Sequence, residues 1–269
     1  MKKRIMGLLL AFALANCTLL SGCHSADSLN TGGDQLEQIK SKGKIVFAME
    51  GQWAPWTYHD ESGELVGFDT EVGKAIAKEL GVEAEFVEGE WDGLFTGLDI
   101  GRYDAVINGV EITDERAKKY NFTTPYAYIK TALVVSEDNN DITTFEDLNG
   151  RETSNSLGST YADLAASYGA NVQNVSTLSE TIDMVISGRV EATLNAEVSF
   201  YDYFKEHPDA PIKIVALTDD ASKVSIPIRK TAESDSLKAA IDEAISKLSA
   251  DGTLTELSTK YFGSDITKE

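Results

Sequence analysis

Between Lys44 and Asn108 the apolar residues alternate between two periods, and this alternation constrains the fold more than any other feature of the chain. Lys44–Met49 (KIVFAM) is a short β-rich run. From Asp69 or Thr70 to Leu80 the residues Val72, Ala75, Ile76 and Leu80 fall at helical spacing, and Gly81 follows as a stop. Glu83–Val87 reads as a strand, Trp91–Ile100 as a helix with Leu94 and Leu98 on one face, and Ala105–Asn108 as a strand again. Two consecutive strand–helix–strand units imply parallel strands, which need long crossovers, with helices covering the sheet. The fold class is therefore α/β.

The pattern returns further along. Ala132–Val135, Ala192–Leu194, Lys213–Leu217 and Val224–Ile228 read as strands, and Thr160–Tyr168, Leu178–Ile186 and Val198–Lys205 as helices. Ser236–Ala250 is a long amphipathic helix with Leu237, Ile241, Ala244, Ile245 and Leu248 in one stripe, followed by a shorter helix from Leu254 to Tyr261. Arg151–Ser156 (RETSNS) sits where a strand is expected yet is almost wholly polar. The chain contains no solenoid-type repeat, P-loop, G-x-G-x-x-G or G-x-S-x-G.

The N-terminal end carries a different message. Lys2, Lys3 and Arg4 precede an apolar run from Ile5 to Ala15, too short for the roughly 20 residues that span a bilayer. This reads as a secretory leader over residues 1–22. Leu20-Ser21-Gly22-Cys23 resembles a bacterial lipobox, so Cys23 is expected to be lipidated and to become the first mature residue; a plain leader with a chance cysteine is the alternative. More than one acyl chain would anchor the protein stably in the cell membrane, on its outer or periplasmic side. The second cysteine, Cys17, falls inside the leader, which leaves no partner for a disulfide within the subunit. Residues 23–34 then read as the lipidated cysteine and a flexible polar tether. Loss of the leader's three positive charges takes the net charge from −20 to −23. Such acidity excludes a nucleic-acid binder, which needs clustered cations, and docking to anionic lipid through a basic face.

Few residues could support covalent or metal chemistry. His24, His59 and His207 are the only histidines, and none is paired at metal-ligand spacing, so no metal or cofactor is expected and no catalytic nucleophile is in evidence. The segment Asn108 to Arg116 (NGVEITDER) is more informative. Thr113 is placed to cap a short helix with Arg116 in its first turn, so backbone N–H groups and a guanidinium fork would converge on an anion such as a carboxylate. The alternative is an arginine compensating Asp114, Glu115 or Glu111 on a solvated face. Gly158-Ser159-Thr160 has the same character, a glycine turn feeding a helix with hydroxyls at its cap; a plain cap is the alternative. Trp53, Trp56, Tyr58 and Trp91 gather near the carboxyl ends of strands, where open α/β sheets bind ligands, although core packing is the competing fate of each.

These residues, in GQWAPWTYHDESGELVGFDTEVGKAIAKELG (51–81), EWDGLFTGLDIGRYDAVINGVEITDERAKKYNFTTPY (90–126), TTFEDLNG (143–150), LGSTYADLA (157–165), GRVEATL (188–194) and SADGTLTELSTKYFGSD (249–265), resemble family 3 of the bacterial extracellular solute-binding proteins. These are polar-amino-acid-binding lipoproteins that serve ABC importers. ITDERAKKYNFTTPY and the ending KYFGSDITK are most similar to the cystine-binding members.

The resemblance implies a two-lobed, type II periplasmic-binding-protein-like fold with two hinge strands. Lobe one would comprise 35–129 and 223–269, and lobe two 130–222. It also implies a monomer without catalysis, which captures an amino acid, here L-cystine first, and hands it to a permease with its ATPase subunit. By analogy Arg116 would hold the ligand's α-carboxylate with backbone N–H groups near Glu111, Ser159 and Thr160. Trp53 and Trp91 would line the pocket, and Asn108 and Gly109 would edge it. Where the family usually places an aspartate for the α-ammonium, this chain has Ala196, flanked by Asn195 and Glu197. Glu111, with Glu197 as a second candidate, is expected to supply that charge. A dehydratase or murein lyase on the same fold, or a ligand sensor, is the alternative. Tight binding of so small a ligand requires enclosure, so the lobes are expected to close on it.

Overall fold

The computed structural model describes residues 33–269; the expected leader, Cys23 and most of the tether lie outside the described residues. The tether ends sooner than expected. Asp34 caps the helix Gln35–Lys42 by accepting from the Glu37 N–H (3.0 Å), so it belongs to the folded unit.

Two five-stranded mixed sheets organise the chain. In the first the order is Glu83–Glu88, Lys44–Met49, Ala105–Val106, Pro227–Arg229, Tyr120–Phe122. Its first three strands are parallel, as the alternating periods require, and the last two run antiparallel to their neighbours in turn. The second sheet repeats the design with Asn171–Asn174, Glu152–Asn155, Ala192–Ala196, Thr131–Ser136 and Ile212–Leu217, again three parallel strands followed by antiparallel pairings. Helices Phe68–Leu80 and Asp235–Ala250 pack on the first sheet, and the stripe Leu237, Ile241, Ala244, Ile245 and Leu248 is buried, as its period predicts.

The chain leaves the first sheet and returns through adjacent segments. Ala127–Ile129 and Ser222–Val224 pair antiparallel, and just beyond them the Thr218 N–H donates to the Thr131 carbonyl (3.0 Å) while the Thr131 N–H donates to the Thr218 hydroxyl (3.0 Å). Here the expected strand Val224–Ile228 is two strands. Ser225 and Ile226 bond back to Thr123, through Ser225 Oγ to the Thr123 carbonyl (2.7 Å) and Ile226 N–H to Thr123 Oγ1 (3.1 Å). Pro227 then opens a new strand in the first sheet, without an N–H of its own.

The polar segment expected at Arg151–Ser156 is the strand Glu152–Asn155, buried although Thr153 Oγ1 and Asn155 Oδ1 find no partner among the described residues, while other polar groups along it are paired. Thr193 Oγ1 donates to the Ser154 carbonyl (2.9 Å), and Asn155 Nδ2 to the Leu194 carbonyl (2.6 Å). The expected strand Ala105–Asn108 stops at Val106, and the buried Asn108 side chain instead ties down the next strand end by accepting from the Glu50 N–H (2.8 Å). A small three-stranded sheet, Gln52–Trp53, Thr57–His59 and Leu65–Val66, was not foreseen and fixes the tryptophan-rich segment against the first lobe.

Candidate functional site

The carboxyl ends of the two sheets' parallel strands face one cavity. Glu50 follows Lys44–Met49, Asn108 follows Ala105–Val106, Asn155 ends Glu152–Asn155, and Asn195 lies near the end of Ala192–Ala196; all four line it. From the first sheet's side come Trp53, Trp91, Gly109, Glu111 and Arg116; from the second come Ser159 and Thr160 at the start of the helix Thr160–Ser167.

Arg116 is positioned as its spacing predicts. Thr113 Oγ1 caps the short helix Asp114–Lys119 by accepting from the Arg116 N–H (3.1 Å). The guanidinium lies over the Trp91 ring (5.2 Å to the centroid) and the Phe95 ring (5.5 Å), which hold it flat. Its Nη1 donates to the Glu111 carbonyl (3.0 Å), and its Nη2 reaches across the cleft to the Gly158 carbonyl (3.1 Å). Burial pushes its pKa down, and Glu111 opposes that. It remains a cation at any physiological pH.

Glu111 is 5% exposed, and its Oε1 accepts from Thr160 Oγ1 (2.7 Å), a second bond across the cleft. Ser159 Oγ caps its helix by accepting from the Ala162 N–H (3.1 Å). Trp53, 8% exposed, donates from Nε1 to Asn195 Oδ1 (3.1 Å) and stacks on Trp56 at 5.3 Å between centroids. Trp56 itself is core: wholly buried, it donates to Ser199 Oγ (3.2 Å) and does not line the cavity. Gly109 adopts φ +55°, and a Cβ there would lie 2.6 Å from the Trp53 ring, so the loop can pass under the indole only as glycine. Below it the fully buried Asp69 accepts from the Gly109 N–H and from the Tyr126 hydroxyl (2.7 Å); burial pushes its pKa up to about 7.

Nine of the ten residues expected at the site line this cavity; Glu197 is the exception. It opens the helix Glu197–Glu206, with its N–H on the Lys130 carbonyl (3.0 Å) beside the chain crossing, and burial pushes its carboxyl up to about 7. Sequence reasoning missed Glu50, Asn155, Ser156, Tyr161, Thr177 and Thr181. Glu50 was within reach, since it immediately follows a strand at its carboxyl end. Burial pushes its carboxyl up to about 7, partly offset by a bond from Asn108 Nδ2 (2.6 Å). Thr177 carried a readable signal as well, because T-x-x-E is a capping box, and both of its bonds form with Glu180.

The description "bacterial extracellular solute-binding proteins, family 3" fits residues 45–264, where that family's model matches. Over 272 residues, covering 100% of each chain, the sequence is 35% identical to the L-cystine-binding protein TcyA of Bacillus subtilis (strain 168). Among solved structures, an ancestral arginine-binding protein bound to arginine shares 36% identity with a TM-score of 0.77, covering 82% of this chain and 99% of that one. The L-cystine solute receptor of Neisseria gonorrhoeae, in its unliganded open conformation, shares 38% identity with a TM-score of 0.59, covering 87% and 99%. The two-lobed type II periplasmic-binding-protein fold is common to them. The better overlap with the arginine-bound structure agrees with the bonds that join the two lobes here.

Proposed function

The chain belongs to the bacterial extracellular solute-binding proteins, family 3, and on that premise we propose that it captures a polar amino acid between its lobes, L-cystine first, and delivers it to an ABC permease. The observation that carries this reading is the meeting of Arg116 and the Gly158–Thr160 turn across one cavity, the two anion-favouring features of the sequence brought face to face. Arg116 takes the ligand's α-carboxylate, assisted by backbone N–H groups near Glu111, Ser159 and Thr160. Glu111 takes the α-ammonium in place of the absent aspartate, with Glu197 behind the wall as the second candidate. Trp53 and Trp91 bound the apolar part of the ligand, and Asn108, Gly109 and Asn195 complete the rim.

Micromolar binding needs about −8 kcal/mol. Charge-assisted contacts of about 1.5–3 kcal/mol each at the carboxylate and the ammonium supply much of it, and exclusion of water between the lobes supplies the rest. L-Cystine stands first because TcyA and the gonococcal receptor are cystine binders; arginine is the competitor, from the ancestral protein.

The same reading divides the lobes at 35–129 with 223–269 and at 130–222. It treats residues 1–22 as a leader, Cys23 as the acylated anchor on the outer face of the membrane, and the protein as a monomeric binding module without catalysis. Calorimetry with a panel of amino acids tests it, with Arg116→Ala as control. L-Cystine should bind in the micromolar range and lose that binding in the control; failure of every α-amino acid to bind at millimolar concentration overturns the reading.

A further inference from the structure

One stretch of the cavity wall, built wholly from the second sheet's side, carries hydrogen-bond acceptors that still have lone pairs to offer. Asn155 is 2% exposed and lines the cavity. Its Nδ2 donates to the Leu194 carbonyl (2.6 Å), which fixes the orientation of the amide. The other half of the group, Oδ1, is buried and has no partner among the described residues. Beside it on the wall, Ser156 Oγ donates to the Val175 carbonyl (3.1 Å), and Thr181 Oγ1 donates to the Leu178 carbonyl (2.8 Å). A hydroxyl has a single proton, so once that proton is engaged it offers only lone pairs. All three residues line the cavity with acceptor lone pairs left over. A buried acceptor left unpaired carries a desolvation penalty that a ligand donor removes.

The charges around the cavity point the same way. Among the described residues, Arg116 is the only cationic side chain on its wall, and the proposed function engages it with the α-carboxylate; Glu50 and Glu111 are the acids. A far end that carries a carboxylate alone would find no second guanidinium or ammonium there.

We propose that Asn155, Ser156 and Thr181 form a subsite for the far end of the ligand's side chain, and that it selects a side chain ending in an N–H donor. A second ammonium, a guanidinium or a terminal amide fits it; an end without any N–H donor, such as a lone carboxylate, a thioether or an alkyl group, does not. The subsite rests on the proposed amino-acid site, because Arg116 must hold the near end.

Calorimetry on the full mature chain tests this with four probes that share the α-amino-acid head: L-cystine, through the ammonium of its far half, and L-arginine carry far donors, L-glutamate and L-norleucine do not. Wild type should bind at least one of the first pair tenfold or more tighter than both of the second. Asn155→Leu should lower that affinity about tenfold to a hundredfold while leaving L-norleucine within threefold. Thr181→Val, which keeps its shape, should lower it several-fold, and decides the matter together with the wild-type ranking if Asn155→Leu does not fold.

Equal weakening of all four ligands by the variants, or a wild-type preference for L-glutamate or L-norleucine, overturns the subsite. If wild type binds amino acids and Arg116→Ala abolishes this while the ranking ignores Asn155 and Thr181, the subsite alone falls. If wild type binds none, the proposed function falls and takes the subsite with it.

Discussion

The two walls of the cleft come from the same end of the same kind of sheet, yet they carry opposite kinds of chemistry. The first sheet's side brings the charges and the indoles: Glu50, Glu111, Arg116, Trp53 and Trp91. The second brings amides, hydroxyls and a helix start, in Asn155, Ser156, Ser159, Thr160, Thr181 and Asn195. One wall can therefore hold a zwitterion's charged head before the lobes meet, while the other completes the partners and excludes water only on closure. Charge-assisted bonds are roughly twice as strong as neutral ones, so substitutions on the first wall should outweigh those on the second.

The largest expected effect comes from Arg116→Ala, which should lower affinity for every α-amino acid by more than a hundredfold in calorimetry. A comparable loss from Ser159→Ala would break the comparison. Trp53→Ala should follow, with a loss of about tenfold to a hundredfold, because it removes both the Asn195 bond across the cleft and a large apolar wall. Next comes Glu111→Gln, expected to cost about tenfold for ligands with a free α-ammonium and nothing for their N-acetyl forms; unchanged affinity would end the assignment of the ammonium to Glu111.

The smallest effect concerns stability. Glu50, Asp69 and Glu197 ionise near pH 4 to 4.5 in an unfolded chain, but burial pushes each up to about 7 in the folded one. Between these limits the folded state keeps protons that the unfolded state has lost, so stability falls as pH rises from about 4.5 to about 7 and then levels. The melting temperature should drop by a few degrees between pH 5 and pH 8. Glu50→Gln and Glu197→Gln, one from each sheet's side, should each flatten that slope, and a melting temperature that rises with pH would contradict the burial of all three.

The same contrast decided what could be read beforehand. A guanidinium, an indole and an acid at the end of a strand are conspicuous in a sequence, and Arg116, Trp53 and Glu111, singled out in that way, line the cavity. Asn155 and Thr181 were not, because a neutral polar side chain means nothing until its neighbours are known. Asn155 matters through an oxygen left over after its nitrogen has found Leu194, and no spacing reveals a leftover. Most strands and helices followed from periodicity to within a residue or two. The failures lay at Ser225 and Ile226, turned aside by Thr123, in the Gln52–Val66 segment and at Tyr120–Phe122, Ala127–Ile129 and Asn171–Asn174, whose strands are too short to show a period, and at the unread helix Gln35–Lys42. Glu197 stands apart from the other expected residues, since at the end of its strand the chain turns into a helix, and its buried carboxyl lies behind the wall, near enough to Glu111 and Tyr161 to act on both.

The paired crossing at Thr131 and Thr218 has a mechanical consequence. Two links fastened side by side resist twisting and sliding but yield readily to bending about the line that joins their partners. In the proposed function the many coordinates of a bound molecule would be compressed into one, the angle between the two sheets' sides. Whatever touches both of them need know nothing of the ligand's chemistry; it has only to feel that angle.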